Sequence, residues 1–207
     1  MNDEVLEILK LVTPTPMIEN SLSNKQKINK IEYHMTKILE VLGLDLNDDS
    51  LTKTPNRIAK MYVNEIFKGL IPENFPDIST FENKMQVNQM IVVRDIKVMS
   101  CCEHHFVPFL GLAKVAYIPK DKIIGLSKIN RVVNYFSRRP QVQERLTKQI
   151  ADCLIQVLDT EDVAVFIDAK HYCVAMRGVE DVNSSTVTSD LRGAFLNSTT
   201  RQEFMTI

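Results

Sequence analysis

Cys102-Glu103-His104-His105 and His171-Tyr172-Cys173, with Arg177 just beyond, gather two thiols, three imidazoles and a cation in two short clusters. Thiolates and imidazoles are the preferred ligands of zinc. A structural zinc usually closes four protein ligands, whereas a catalytic one keeps three and leaves a position for water. Cys102 and His105, three residues apart, can converge on one ion across a turn. Cys173 completes a Cys2His set with an open fourth position, although the neighbouring thiol of Cys101 leaves the choice of ligand open. In extended chain His171, Cys173, Ala175 and Arg177 share one face, and the stretch 163–177 reads as a strand. That alternation puts a ligand, a second imidazole and an anion-binding guanidinium on one side. His104 and His171 are then free to move protons, because imidazole titrates near neutral pH. Ser127 reads as a helix N-cap, which sets Lys128 and Arg131 near a first turn where cations are disfavoured unless an anion binds there.

The elements that must carry these residues follow from the apolar spacing. Residues 4–12 form a short amphipathic run. Ile31, Met35, Ile38, Leu39 and Leu42 fall at helical spacing, with Gly43 suited to the C-terminal cap. Thr54-Pro55 reads as N-cap and first helical position, with Ile58, Met61, Tyr62 and Ile66 behind it and Gly69 as the stop. Residues 90–99 and 111–118 read as strands. Two helices follow, one with Ile129, Val132, Val133 and Phe136 inside, and one with Val142, Leu146, Ile150, Cys153, Leu154 and Val157 inside. Arg138 and Arg139 sit between them, as cations suited to a helix C-terminus. Residues 186–205 add a strand or an irregular tail. The order predicts an α+β fold, an antiparallel sheet with helices on one face, preceded by an N-terminal helical segment. The division expected is 1–80 for that segment and 81–207 for the catalytic domain.

The chain has 207 residues, 44% hydrophobic and 25% charged, with a formal net charge of -1. These values are ordinary for a globular protein and leave no global basic field for nucleic acid or membrane. The acidic start Met1-Asn2-Asp3-Glu4 is followed by no signal-like apolar stretch, so a cytoplasmic protein without a regulatory N-terminal extension is expected. In that compartment Cys101, Cys102, Cys153 and Cys173 read as ligands or core thiols rather than disulfides. Six glycines in the chain make no phosphate-binding loop, so a bound phosphate must be held by side chains and a helix end.

Longer stretches carry a resemblance. Cys-Glu-His-His-Phe at 102–106, Ala-Tyr-Ile-Pro-Lys at 116–120 and Ile-Gly-Leu-Ser-Lys-Ile-Asn-Arg at 124–131 resemble the zinc-dependent GTP cyclohydrolase I family. So do Arg-Pro-Gln-Val-Gln-Glu-Arg-Leu-Thr at 139–147 and His-Tyr-Cys-Val-Ala-Met-Arg-Gly at 171–178. The resemblance implies the tunnelling fold, a toroidal homodecamer with active sites at subunit interfaces, and one zinc ion per subunit. It implies hydrolysis of GTP to 7,8-dihydroneopterin triphosphate and formate, the entry to folate and other pterins. It places zinc ligands at Cys102, His105 and Cys173 and catalytic histidines at His104 and His171. It places the base-reading acid at Glu144 and a further substrate-binding residue at Gln143. Triphosphate contacts fall on Lys128, Arg131 and Arg177, with Arg57 reaching a neighbouring subunit's triphosphate and Ser127 near ribose and phosphates. Two other readings fit parts of the pattern: a relative acting on another purine or pterin, and a structural zinc module without turnover.

Overall fold

The computed structural model describes residues 3–207; Met1 and Asn2 of the acidic start lie outside the described residues. Helix α1 (Asp3–Leu11) leads to α2 (Asn24–Val41), which starts earlier than the apolar stripe alone suggests. Ser23 caps α2 and exchanges bonds with Gln26 in a capping box, so the polar turn 24–28 is helical as well. Gly43 follows α2 with φ of 78°, the left-handed conformation that glycine adopts freely. Helix α3 (Thr54–Met61) has Lys53 as its N-cap, one residue before the expected Thr54, and widens into a π-turn over Tyr62–Ile66. Gly69 then packs where no side chain fits: a Cβ would lie 2.2 Å from the Tyr135 carbonyl oxygen. Its N–H donates to Arg138 O at 2.9 Å.

Strand β1 (Thr80–Glu82) is followed by β2 (Ile91–Cys102), β3 (Pro108–Tyr117) and β4 (Lys122–Ile124). Next come α4 (Leu126–Ser137), β5 (Pro140–Gln141), α5 (Gln143–Leu158) and β6 (Val163–His171). The chain ends with α6 (Tyr172–Ala175), β7 (Thr186–Leu191) and α7 (Ser198–Thr206), so the region expected as strand or irregular tail is a strand followed by a helix. Among the described residues the main sheet runs β5-β2-β3-β6-β7, and β1 pairs separately with β4. The ladders are antiparallel except for β5, which runs parallel to β2 through Cys101↔Pro140 and Cys102↔Gln141.

One face of the sheet carries α4 and α5. Ile129, Val132, Val133 and Phe136 from α4 and Leu146, Ile150, Cys153 and Leu154 from α5 are fully buried against Val98, Val115, Val165 and Ile167. Truncating such a residue to Ala costs about 2–5 kcal/mol. The opposite face has a smaller cluster, in which Ala116 and Ala164 meet Phe195 and Phe204 from the chain's end. Val12, beyond α1, belongs to the main core. Arg139, expected as a cation suited to the helix C-terminus, is also buried. It is 8% exposed and donates to Gly69 O at 2.8 Å and Thr15 Oγ1 at 3.0 Å. No described helix is long and apolar enough to cross a membrane.

Asp152 ties three parts together. Its carboxylate accepts from Thr13 N (2.9 Å), Thr13 Oγ1 (2.6 Å) and Arg192 Nη2 (2.6 Å). Burial alone would raise the Asp152 carboxyl; the Thr13 and Arg192 hydrogen bonds outweigh it and hold the group below its usual value. A folded-state pKa below the unfolded one stabilises the protein fully above the unfolded value and is lost as pH falls through the folded value. Asp152→Asn is therefore expected to cost about 3 kcal/mol at neutral pH, and less in acid. Denaturant titrations at both pH values measure the difference; an equal loss at each would contradict the linkage.

Candidate metal and nucleotide site

Cys102 ends β2 and is 5% exposed. The chain reverses at once: Cys102 N donates to Val107 O and Phe106 N to Cys102 O, each at 2.9 Å. Phe106 takes a φ of 53° to close this turn, which leaves His104 and His105 exposed on its outside. Two braces hold the turn. Glu103 N donates to Gln141 O at 3.0 Å, while the Glu103 carboxylate receives both Nη atoms of Arg145 from α5. That guanidinium is the main cause of the Glu103 carboxyl lying below its usual value. On the other side Phe106 packs against Phe67 (5.3 Å between centroids) and Tyr62 (6.3 Å), so the N-terminal helices also support the turn. Sequence reasoning missed the Glu103–Arg145 pair; its only signal is that both residues lie inside the motifs that carry the resemblance.

The second cluster is built differently from expectation. Strand β6 stops at His171, and Tyr172–Ala175 is a single helical turn. The ladder reaches its last pair at Phe109↔His171, because β3 begins at Pro108, which has no N–H to extend it. Strand alternation therefore does not align His171, Cys173 and Arg177. The helical turn instead carries Cys173 back towards the 102–107 turn. Ligand atoms of Cys102, His105 and Cys173 all lie within 4.8 Å of one another. Burial, and then the nearby Cys102, push the Cys173 thiol above its usual value. A divalent cation between the sulfurs reverses that sign. Two soft sulfurs and one imidazole form a donor set that can hold a metal ion and leave room for a further ligand. Cys101 faces away; burial pushes its thiol up to about 11.

The other residues fall into separate positions. His104 Nδ1 lies 3.7 Å from Cys102 Sγ, outside the three-donor group. Arg177 Nη1 donates to His105 Nε2 at 3.0 Å, which sets a guanidinium beside the donor set. His171 stacks on Phe109 at 4.6 Å and 11°, with its Nε2 2.8 Å from Gln143 Oε1. Burial holds the His171 imidazole below its usual value, against the pull of the Glu144 carboxylate. Glu144 is exposed in the first turn of α5, where the helix dipole favours an anion. Gly125, not Ser127, is the N-cap of α4, so exposed Ser127 sits inside the first turn. Lys128 donates to Asp77 O at 2.7 Å, and Arg131 is exposed. Arg57 is exposed on α3. Among the described residues no hydrogen bond or ion pair joins Lys128, Arg131 or Arg57 to the metal-binding group. The hollow between α1 and residues 72–80, about 530 Å³, contains none of these groups.

A family model described as GTP cyclohydrolase I matches residues 31–207. The chain belongs to the GTP cyclohydrolase I family. GTP cyclohydrolase 1 of Aeromonas salmonicida (strain A449) is 59% identical to it over 192 residues, which cover 92% of this chain and 88% of that relative. GTP cyclohydrolase 1 of Enterobacter sp. (strain 638) is 57% identical over 203 residues, covering 98% and 91%. That of Vibrio parahaemolyticus (serotype O3:K6, strain RIMD 2210633) is 58% identical over 192 residues, covering 92% and 88%. GTP cyclohydrolase I proteins are hydrolases, and the mixed helix-and-curled-sheet architecture is the tunnelling fold.

Proposed function

We propose that this chain is a cytoplasmic, zinc-dependent GTP cyclohydrolase I. It hydrolytically opens the guanine imidazole ring of GTP, gives 7,8-dihydroneopterin triphosphate and formate, and so begins folate and pterin synthesis. The observation that carries the reading is the convergence of Cys102, His105 and Cys173 with His104 and Arg177 alongside. Zinc held by those three side chains supplies a Lewis acid that lowers the pKa of water towards neutrality. A cytosolic setting keeps the two thiol ligands reduced.

The chain's own groups do the rest. Opening at C8 requires a proton at N7, and the later ribose rearrangement and ring closure require further transfers. His104 and His171 move these protons. The Glu144 carboxylate accepts from guanine N1–H and the 2-amino group together, a donor pair that adenine lacks. Lys128, Arg131 and Arg177 hold the triphosphate, Ser127 lies near ribose and phosphates, and Arg57 serves the site of an adjacent subunit. In this reading the site is completed between subunits, in a homodecameric toroid.

Full-length protein incubated with GTP, then oxidised, is expected to develop pterin fluorescence. A chelator should abolish it and added zinc restore it. No fluorescence from zinc-loaded protein would leave the structural zinc module as the better reading. Lys128→Ala should raise the KM for GTP roughly tenfold or more, the loss of one charge-assisted contact, while guanosine binding measured calorimetrically stays nearly unchanged. Equal losses for both would remove Lys128 from the triphosphate.

A further inference from the structure

Gln143 opens α5 and is 1% exposed. Its amide nitrogen, which carries two hydrogens, lies within donating distance of three acceptors, Ile167 O (3.1 Å), Thr186 O (2.8 Å) and Thr188 Oγ1 (3.1 Å). Its amide oxygen faces His171 Nε2 at 2.8 Å. Turning the amide over would aim its oxygen at two backbone carbonyls, acceptor against acceptor. The hydroxyls enforce the same choice. Thr147 Oγ1 donates to Gln143 O at 2.8 Å, so the hydrogen in its 2.6 Å contact with Thr188 Oγ1 comes from Thr188. The Thr188 oxygen is then left to accept from the Gln143 amide.

An amide oxygen only accepts, so His171 Nε2 carries the hydrogen of the 2.8 Å contact. A neutral imidazole has one such hydrogen, and Nδ1 is therefore bare. The Phe109 stack fixes the plane of the ring.

We infer that Gln143 is a positioning residue that holds His171 as its Nε2–H tautomer and leaves Nδ1 as the ring atom that accepts a proton from the substrate. The inference rests on the proton-transfer role proposed above for His171. It also separates Gln143 from Glu144: the exposed carboxylate reads the base, and the buried amide acts through the histidine.

Neutron diffraction from crystals of the zinc-loaded, full-length wild-type protein tests the tautomer directly. The expected map shows hydrogen on His171 Nε2, none on Nδ1, and both Gln143 amide hydrogens directed away from His171, towards Ile167 O, Thr186 O and Thr188 Oγ1. Hydrogen on Nδ1 with Nε2 bare would overturn the inference. In Gln143→Met, kcat is expected to fall at least about tenfold with KM for GTP within about twofold. A raised KM with kcat unchanged would make Gln143 a direct substrate contact and also overturn it. If the variant does not fold, the wild-type neutron map decides alone. Failure of the wild-type enzyme to turn over GTP would count against the proposed function and leave the tautomer reading standing on its own map.

Discussion

Cys173→Ser is expected to lose zinc binding and GTP turnover while the fold largely survives. Removing a partner that merely orients a metal ligand already costs about 10–100-fold in affinity. Replacing one of only three donors is expected to exceed about 100-fold, and serine offers no thiolate at neutral pH. The rest of the molecule has little reason to change. Cys173 is partly buried in a single helical turn at the end of the sheet, and the main core lies between the sheet and helices α4 and α5. Elemental analysis after dialysis, a thermal melt and the pterin fluorescence assay read the three consequences. Zinc retained together with full turnover would sink the assignment of Cys173 as a ligand.

Glu144→Ala has the next largest effect, and it falls on the substrate instead of the metal. Two hydrogen bonds to a charged acceptor contribute about 1.5–3 kcal/mol each, so kcat/KM for GTP should fall roughly a hundredfold or more. Glu144 is exposed, so its stability cost is small. Inosine triphosphate keeps N1–H and lacks the 2-amino group, so it should lose less than GTP does on the same substitution. Unchanged kinetics with GTP would refute the base-reading role.

Helices α4 and α5 were legible because their apolar residues recur at helical spacing and their buried faces match it; on α2 the same spacing marks the helix, but only Leu39 of its stripe is buried while Ile38 and Leu42 are exposed. Residue type and spacing pointed to a donor group of thiols and imidazole, but the Cys101-Cys102 pair left the choice of ligand open until the resemblance placed it on Cys102. The route by which the group assembles was not legible. Alternation along one strand suggested a shared face for His171, Cys173 and Arg177, but the strand ends at His171 because its neighbour starts at Pro108. That boundary depends on a partner strand 63 residues away (171 minus 108), which local periodicity cannot register. The same limit hid the burial of Arg139, whose partners Gly69 and Thr15 come from the N-terminal segment. Gly125 displaced Ser127 as N-cap because the backbone, with no side-chain cap bond, starts α4 two residues sooner.

The central claim is an open metal site with two spare histidines. X-ray absorption at the zinc edge of the zinc-loaded, full-length protein tests it most directly. The account predicts two sulfur donors and one imidazole around zinc, with the remaining position taken by an exchangeable light atom. Two sulfurs with two imidazoles, the second from His104, would close the site and contradict it.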